Sequence, residues 1–209
     1  MDDMTKGRPL GHLVKYAVPL LLGNLMQLMY NAVDSIIAGR FIGEDALAAE
    51  GIAAPVMNMV ILLVSGITIG AGILMSEAFG AKDMARLRKL NGTTLVLGII
   101  SGSVVAVVGF ILSRSILCLM DTPSSILDST TWYLSITFLG VPFVFIFNSL
   151  SSGLKSVGDS KTPLLFLAFS SILNASLDLV FLGLLGFGII CSAVTTVVAE
   201  IVSAILAFW

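Results

Sequence analysis

Long apolar stretches separated by short polar segments are the main pattern of this 209-residue chain. Six stretches are close to the length of about 20 apolar residues that an α-helix needs to cross a bilayer. The strict apolar–polar alternation of membrane β-strands does not occur. The pattern therefore predicts an all-α integral membrane protein forming one six-helix unit, with transmembrane spans at about 13–37, 52–76, 93–113, 130–152, 163–185 and 189–209.

Composition supports the membrane assignment. Hydrophobic residues make up 57% of the chain and charged residues 11%, with a mean hydropathy of +1.04, whereas a soluble domain has about 25% charged residues. Cations are concentrated before the first span and in alternate connections, while the remaining connections hold only Arg40 and Arg114. This bias predicts a cytoplasmic amino terminus in the plasma membrane. The concentrated cations are Lys6, Arg8, Lys15, Lys82, Arg86, Arg88, Lys89, Lys155 and Lys161.

Two aspartates lie inside predicted spans, where a charged side chain is costly. Asp34 lies about five residues before Gly39, and Asp178 lies about five residues before Gly183. If the two helices run in the same direction, both carboxylates lie at one depth in the outer half of the membrane. A carboxylate there needs a proton, a cation or a polar partner, so these aspartates are the primary functional candidates.

Further polar residues share the helix faces of these aspartates. Spacings of three and four residues place Gln27 and Asn31 on the face of Asp34. The same spacing places Asn174 on the face of Asp178. Carboxylate and carboxamide oxygens are hard ligands that suit Na⁺ or a proton, and nothing soft enough for copper accompanies them. Hydrogen bonding between neighbouring helices is the alternative role for these side chains.

The predicted layer extends to the fourth and sixth spans. Tyr133 on the fourth span and Thr195 and Thr196 on the sixth fall at the same depth. Glu200, one turn beyond Thr196, has two open interpretations: it joins the layer from below, or it extends towards the inner membrane face. Pro19 interrupts the hydrogen bonding of the first span and predicts a bend there.

Two further features leave alternatives open. Cys118 and Cys191 both fall near the outer ends of spans, so either a disulfide or two free thiols fit the predicted topology. The sixth span is still apolar at Phe208 and Trp209. This ending suggests that the chain is a fragment of a longer protein.

Several motifs together resemble the multidrug and toxic compound extrusion (MATE) family of transporters, and the resemblance covers essentially the whole chain. They are Pro19 to Gln27 with Tyr30 and Asp34, Gly39-Arg40-Phe41-Ile42-Gly43, Ala46-Leu47-Ala48-Ala49, Phe79-Gly80-Ala81-Lys82, Gly158-Asp159-Ser160-Lys161-Thr162-Pro163, and Asn174 to Asp178 followed by Gly186-Phe187-Gly188.

The resemblance implies a prokaryotic transporter of twelve spans in two six-helix lobes, of which this chain corresponds to the amino-terminal lobe. It implies that entry of Na⁺ or H⁺ drives export of amphiphilic, often cationic compounds. The implied cation site falls on Asp34, Asn174, Asp178 and Thr196, with Tyr133 and Gln27 in the surrounding polar network, and the first helix is implied to bend at Pro19.

The resulting hypothesis is a cation-coupled multidrug antiporter that works by alternating access and is not an enzyme. Its expected partners are drug-like molecules, the bilayer, and either a carboxy-terminal lobe or a second copy of the chain. Neither nucleic acid nor a cofactor is expected. The alternatives are a lipid-linked glycan flippase of related fold and a non-transporting half-protein. An intramembrane aspartyl protease is disfavoured because Asp159 falls in a predicted loop beside two lysines.

Overall fold

The computed structural model describes the backbone of residues 9–208 and the side chains of residue 14 and of residues 17–208. Within this range all regular secondary structure is helical, which confirms the predicted fold class. The connections between helices are short. The helices are α1 (Pro9–Phe41), α2 (Glu44–Gly80), α3 (Met84–Leu119), α4 (Ser124–Ser156), α5 (Lys161–Asp178), a π-helical segment (Leu179–Leu184) that continues α5, and α6 (Ile189–Phe208).

Five of the described helices are long and apolar enough to cross a membrane, counting α5 and the π-helical segment as one helix. α1 is not among the five, although its 33 residues exceed the required length. Its apolar sequence is diluted by Asn24, Gln27, Asn31 and Asp34. Polar residues of the candidate site thus interrupt the apolar sequence of the first helix.

α3 and α4 form the most extensive helix pair of the structure. Gly98, Gly102 and Gly109 form a stripe of small residues on the buried face of α3. Phe138 of α4 fills the space beside Gly109, and Phe145 lies against Gly98 and Gly102. Glycines allow two helix backbones to approach closely and gain dispersion contacts in lipid.

The core next to this pair lies between α2, α3 and α4. Its fully buried members are Ala53, Leu117, Leu134, Phe138 and Val141. Tyr133 packs against this core and also against a second apolar cluster, which contains Ala46, Ala49 and Ile189. Tyr133 thus connects the packed half of the bundle to the region where α2 meets the start of α6.

The connection between α4 and α5 is a tight turn. Gly158 has a φ of +91°, a conformation that glycine adopts without steric cost. Asp159 accepts hydrogen bonds from the backbone amides of Lys161 (3.1 Å) and Thr162 (3.0 Å) and from the Thr162 hydroxyl (2.6 Å). These bonds satisfy free amides at the start of α5.

These contacts also set the charge of Asp159. Burial by itself would raise the pKa of its carboxyl group, but the hydrogen bonds from Thr162 and Lys161 and the Lys161 charge outweigh it, so the pKa lies below its ordinary value. Because the pKa is depressed in the folded state, the stabilisation is present above the unfolded pKa of about 4 and is lost as the pH falls through the folded pKa.

The helix that carries Asp178 changes its winding directly after this residue. The Leu185 amide donates to the Val180 carbonyl (3.0 Å), five residues earlier. This i→i+5 spacing is the hydrogen-bond pattern of a π-helix, which occurs mostly as a short bulge and often beside functional groups. Asp178 therefore lies at the junction between two helix geometries.

The structure decides the expectation about the two cysteines, whereas residues behind another expectation lie outside the described part of the chain. Cys118 and Cys191 are both free, so the disulfide alternative is wrong. The side chains of Lys6, Arg8 and Lys15, on which the amino-terminal orientation was predicted, lie outside the described residues, as does Trp209.

We expect Gly109→Ala to destabilise the protein by about 1–3 kcal/mol, because the added methyl group would overlap the buried Phe138 ring. Gly92→Ala is the matched control: Gly92 lies on the same helix with no neighbour within 4 Å of the new methyl group. This control should be neutral or slightly stabilising because alanine favours helix. Thermal unfolding in detergent measures both effects, and equal unfolding temperatures for the two variants would contradict the packing described above.

We expect Asp159→Ala to destabilise the protein by about 1 kcal/mol through loss of the hydrogen bonds at the start of α5. Asp128→Ala serves as the comparison. Asp128 forms an exposed ion pair with Arg114 (2.6 Å), and surface pairs contribute little. Unfolding of both variants at pH 7 should show the larger loss for Asp159→Ala, whereas a larger loss for Asp128→Ala would refute the capping role.

Candidate functional site

Three carboxylates from three helices lie together in the bundle: Asp34 of α1, Glu50 of α2 and Asp178 of α5. We call this group the acidic layer. Asp178 has 0% exposure and Glu50 has 6%. The side chains of Asp34 and Asp178 are close enough to interact directly, and the Glu50 carboxylate lies within electrostatic range of both. The structure thus places Asp34 and Asp178 close together, as the sequence predicted.

α6 supplies the hydroxyl groups that face Asp178. The Thr195 hydroxyl hydrogen-bonds to Asp178 Oδ1 and also lies 2.8 Å from the Ser192 carbonyl. Asn174, one turn before Asp178, donates from Nδ2 to the Thr196 hydroxyl over 3.5 Å. Thr195 is thus the threonine bonded to Asp178, whereas Thr196 bonds to Asn174.

The sequence analysis did not identify Glu50. It placed the second span at 52–76, so Glu50 fell just outside, but α2 begins at Glu44. Ala46, Ala49 and Ala53 are buried on one face of α2, and Glu50 lies on that same face. In the sequence, the one feature that pointed to Glu50 was its position as a single glutamate within a run of small residues. Its side chain lies near those of Ser35 and Ser192.

Two tyrosines border the acidic layer. Tyr30 lies one turn before Asp34 on α1 and interacts with the Thr196 side chain. Tyr133 on α4 lies within electrostatic range of all three carboxylates, in agreement with its predicted depth. Tyr133 separates the layer from the apolar core, whereas Tyr30 separates it from a cavity.

A cavity of about 390 Å³, lined by both polar and apolar side chains, lies on the other side of Tyr30, among α1, α2, α4, α5 and α6. Gln27 and Asn31 line this cavity together with Tyr30. Asp34 is not among its lining residues. The three side chains predicted to share one helix face therefore serve two regions: Gln27 and Asn31 face the cavity, and Asp34 faces the acidic layer. Pro19 also lines the cavity, and α1 continues through it as one helix.

Glu200 also borders the cavity. Its Oε2 atom occupies the space that a side chain on Gly140 would take, and the carboxylate lies within electrostatic range of Tyr30. This position favours the interpretation that Glu200 joins the polar region below the acidic layer over extension to the inner membrane face.

Several buried oxygen atoms of the site lack a hydrogen-bond partner among the described residues. In the acidic layer they are Asp34 Oδ1, Glu50 Oε1 and Asp178 Oδ2, and beside it they are the Asn174 amide oxygen and the Ser192 hydroxyl. Among the side chains that the structure describes (residue 14 and residues 17–208), no three acidic, histidine or cysteine side chains converge closely enough to hold a metal ion. The arrangement therefore fits a proton, or one cation held by two carboxylates and neutral oxygens, better than a multi-carboxylate metal centre.

The MatE family model matches residues 19–180, which run from within α1 to just past the end of α5 and include Asp34, Glu50 and Asp178. The chain belongs to the MatE family. This assignment confirms the family resemblance that the sequence motifs indicated.

Curated MatE relatives agree with the assignment. The chain is 38% identical over 190 residues to the probable multidrug resistance protein YoeA of Bacillus subtilis, covering 89% of this chain and 41% of YoeA. It is 32% identical over 200 residues to the probable multidrug resistance protein YpnP of the same organism, covering 95% of this chain and 44% of YpnP. The chain thus spans less than half the length of the relatives it matches.

Solved structures show the same relationship. A MOP superfamily transporter from Pyrococcus furiosus superposes with a TM-score of 0.90 at 25% identity, over 97% of this chain and 45% of that one. The six-helix arrangement of the present MatE chain is therefore also found within a transporter about twice as long.

We expect Thr195→Val to destabilise this MatE chain by about 1–3 kcal/mol, because the substitution removes the hydroxyl bonded to Asp178 and leaves a buried carboxylate oxygen without its donor. Thr196→Val should cost about 1 kcal/mol or less, since the Asn174 bond that it removes is long. Thermal unfolding of both variants in detergent tests the ranking. A larger loss for Thr196→Val would contradict the hydrogen bond between Thr195 and Asp178.

Proposed function

We propose that this MatE chain is one lobe of a cation-coupled antiporter that exports amphiphilic, often cationic compounds, and that the acidic layer is its coupling site. One observation carries the proposal. The carboxylate of Asp178 has no exposed surface, contacts Asp34, and retains an oxygen atom without a partner among the described residues. A pair of carboxylates in apolar surroundings has a strong tendency to take up a proton or a cation.

The proposed coupling ion is H⁺ or Na⁺. A proton neutralises one member of the Asp34 and Asp178 pair directly. For Na⁺, the carboxylates would be joined by the Asn174 amide oxygen and by a hydroxyl of Thr195 or Thr196 as neutral ligands. Inward movement of one elementary charge releases about 2.3 kcal/mol per 100 mV of membrane potential, which is sufficient to drive a roughly fiftyfold gradient of a neutral compound.

α1 is the element that would transmit ion binding to substrate. It carries Asp34 in the acidic layer, Tyr30 at the boundary, and Asn31, Gln27 and Pro19 on the cavity. α1 packs mainly against α5, with only slight contact to α2. Because proline removes one backbone hydrogen bond, α1 can bend at Pro19 when the charge of the acidic layer changes.

The second lobe is part of this proposal. The matched relatives are more than twice the length of the matched region, which supports a partner lobe in the form of a longer polypeptide or a second copy of the chain. The distribution of Lys and Arg supports a plasma-membrane location with the α4–α5 connection on the cytoplasmic side. The cavity, whose lining includes Lys155 and Ser160, then lies on the cytoplasmic side of the acidic layer.

We expect Asp34→Asn and Asp178→Asn each to reduce gradient-driven efflux of ethidium to the passive rate. The measurement uses the protein, in the length its gene encodes, in cells that lack other drug pumps. A Na⁺ gradient is applied at clamped pH, and a pH gradient is applied in Na⁺-free choline medium. The gradient that supports efflux identifies the coupling ion.

Asp128→Asn is the control for this experiment, because Asp128 is exposed and pairs with Arg114 away from the site. It should transport at the unmodified rate. Retention of full gradient-driven efflux by both Asp34→Asn and Asp178→Asn would refute coupling at the acidic layer.

A further inference from the structure

The cavity contains a carboxylate separate from the acidic layer. Glu200 lines it, and Oε2 of Glu200 is buried with no hydrogen-bond partner among the described residues. Tyr30 lies between the two regions, since it interacts with Thr196 on one side and lies within electrostatic range of Glu200. Glu200 and the acidic layer are therefore two separate carboxylate positions, with Tyr30 between them.

We propose that Glu200 is the specificity-determining residue of the cavity, and that it selects substrates by pairing with their positive charge. The proposal rests on the transport function proposed above and assigns the substrate charge to a residue outside the coupling site. The coupling ion and the substrate would then use different carboxylates.

The surroundings of Glu200 fix its carboxylate in place. Gly140 on α4 has no side chain, and the Glu200 carboxylate occupies the resulting space. Directly before it on α6, the Ala199 carbonyl accepts a hydrogen bond from the Ser170 hydroxyl (2.6 Å), which joins α6 to α5. The carboxylate is thus positioned by packing on α4 and by an interhelical hydrogen bond.

The rest of the cavity offers neutral hydrogen-bonding groups. Carboxamides and hydroxyls line it, and Glu200 is the single acidic residue among the lining side chains that the structure describes. Lys155 lines the cavity as well, at the end of α4, where it has an interaction of its own. The lining carboxamides belong to Asn24, Gln27, Asn31, Asn58 and Asn148, and six serines and Tyr30 supply the hydroxyls.

This arrangement discriminates by charge. The cavity volume is in the range that holds drug-sized molecules. A buried carboxylate without a partner is costly, and a ligand cation reduces that cost whereas a neutral ligand of the same shape does not. Neutral carboxamides adapt to many ligand shapes, so charge rather than shape becomes the common requirement.

Equilibrium binding of two matched probes tests the inference. Tetraphenylphosphonium is a lipophilic cation, and triphenylphosphine oxide is a related neutral molecule. The unmodified protein, purified in the length its gene encodes and placed in nanodiscs, should bind the cation more tightly. Glu200→Gln should weaken tetraphenylphosphonium binding at least about tenfold, with triphenylphosphine oxide affinity unchanged within about twofold. Glu77→Gln, at an exposed carboxylate on α2, should change neither affinity.

Gly140→Ala provides a second variant that keeps the charge. Its methyl group would displace the Glu200 carboxylate, so it should also weaken binding of the cation selectively, and the two substitutions combined should weaken it no more than Glu200→Gln alone. If Glu200→Gln does not fold, Gly140→Ala and Glu200→Asp decide the result. The inference is overturned if the unmodified protein shows no preference for the cation, or if the variants weaken both probes equally or neither.

Binding requires no gradient, so the two proposals fail separately. Charge-selective binding that depends on Glu200, without gradient-driven efflux, would refute the coupling function alone. Efflux that requires Asp34, with unselective binding in the Glu200 test, would refute the role of Glu200 alone.

Discussion

A carboxylate enclosed in an apolar helix bundle must have polar neighbours, and the part of this chain around Asp178 is organised by that constraint. Asp178 is fully buried, so Thr195 of α6 provides a hydroxyl to it and Asp34 of α1 lies beside it. Water cannot satisfy such groups inside a bilayer, and only neighbouring helices can. The packing of α1 and α6 against α5, and the polar residues that both helices direct to this region, meet this requirement.

The bundle combines a tightly packed half with a loosely packed one. In the tightly packed half, aromatic side chains of α4 lie against glycines of α3. Displacing either helix would open a void or cause atoms to overlap. α1, in contrast, has limited contact with α2 and packs mainly against α5. A helix that makes few contacts can change its position at low cost. The acidic layer therefore joins α2, which belongs to the tightly packed half, to α1 and α5.

The sequence predicted what hydropathy and helical spacing determine, namely the all-helical membrane fold and the proximity of Asp34 to Asp178. Helical spacing could not rank Thr195 against Thr196, and the family resemblance favoured Thr196, whereas Thr195 bonds to Asp178. Neighbouring residues on a helix point about 100° apart, and span boundaries read from hydropathy are uncertain by several residues. The same uncertainty placed Glu50 in a loop. For Glu200, choosing between the two interpretations required the position of Gly140 on another helix, which no local pattern contains.

The π-helical segment after Asp178 has a consequence for how this helix tolerates changes in length. A π-bulge contains one residue more than the α-helix it interrupts, and in this chain the bulge follows the functional carboxylate directly. Deleting one residue from Leu179–Leu184 can restore regular α-helix while Asp178 keeps its orientation. Insertions and deletions among homologous chains should therefore accumulate in this segment rather than between Asn174 and Asp178, where a single added residue would turn the carboxylate away from Asp34.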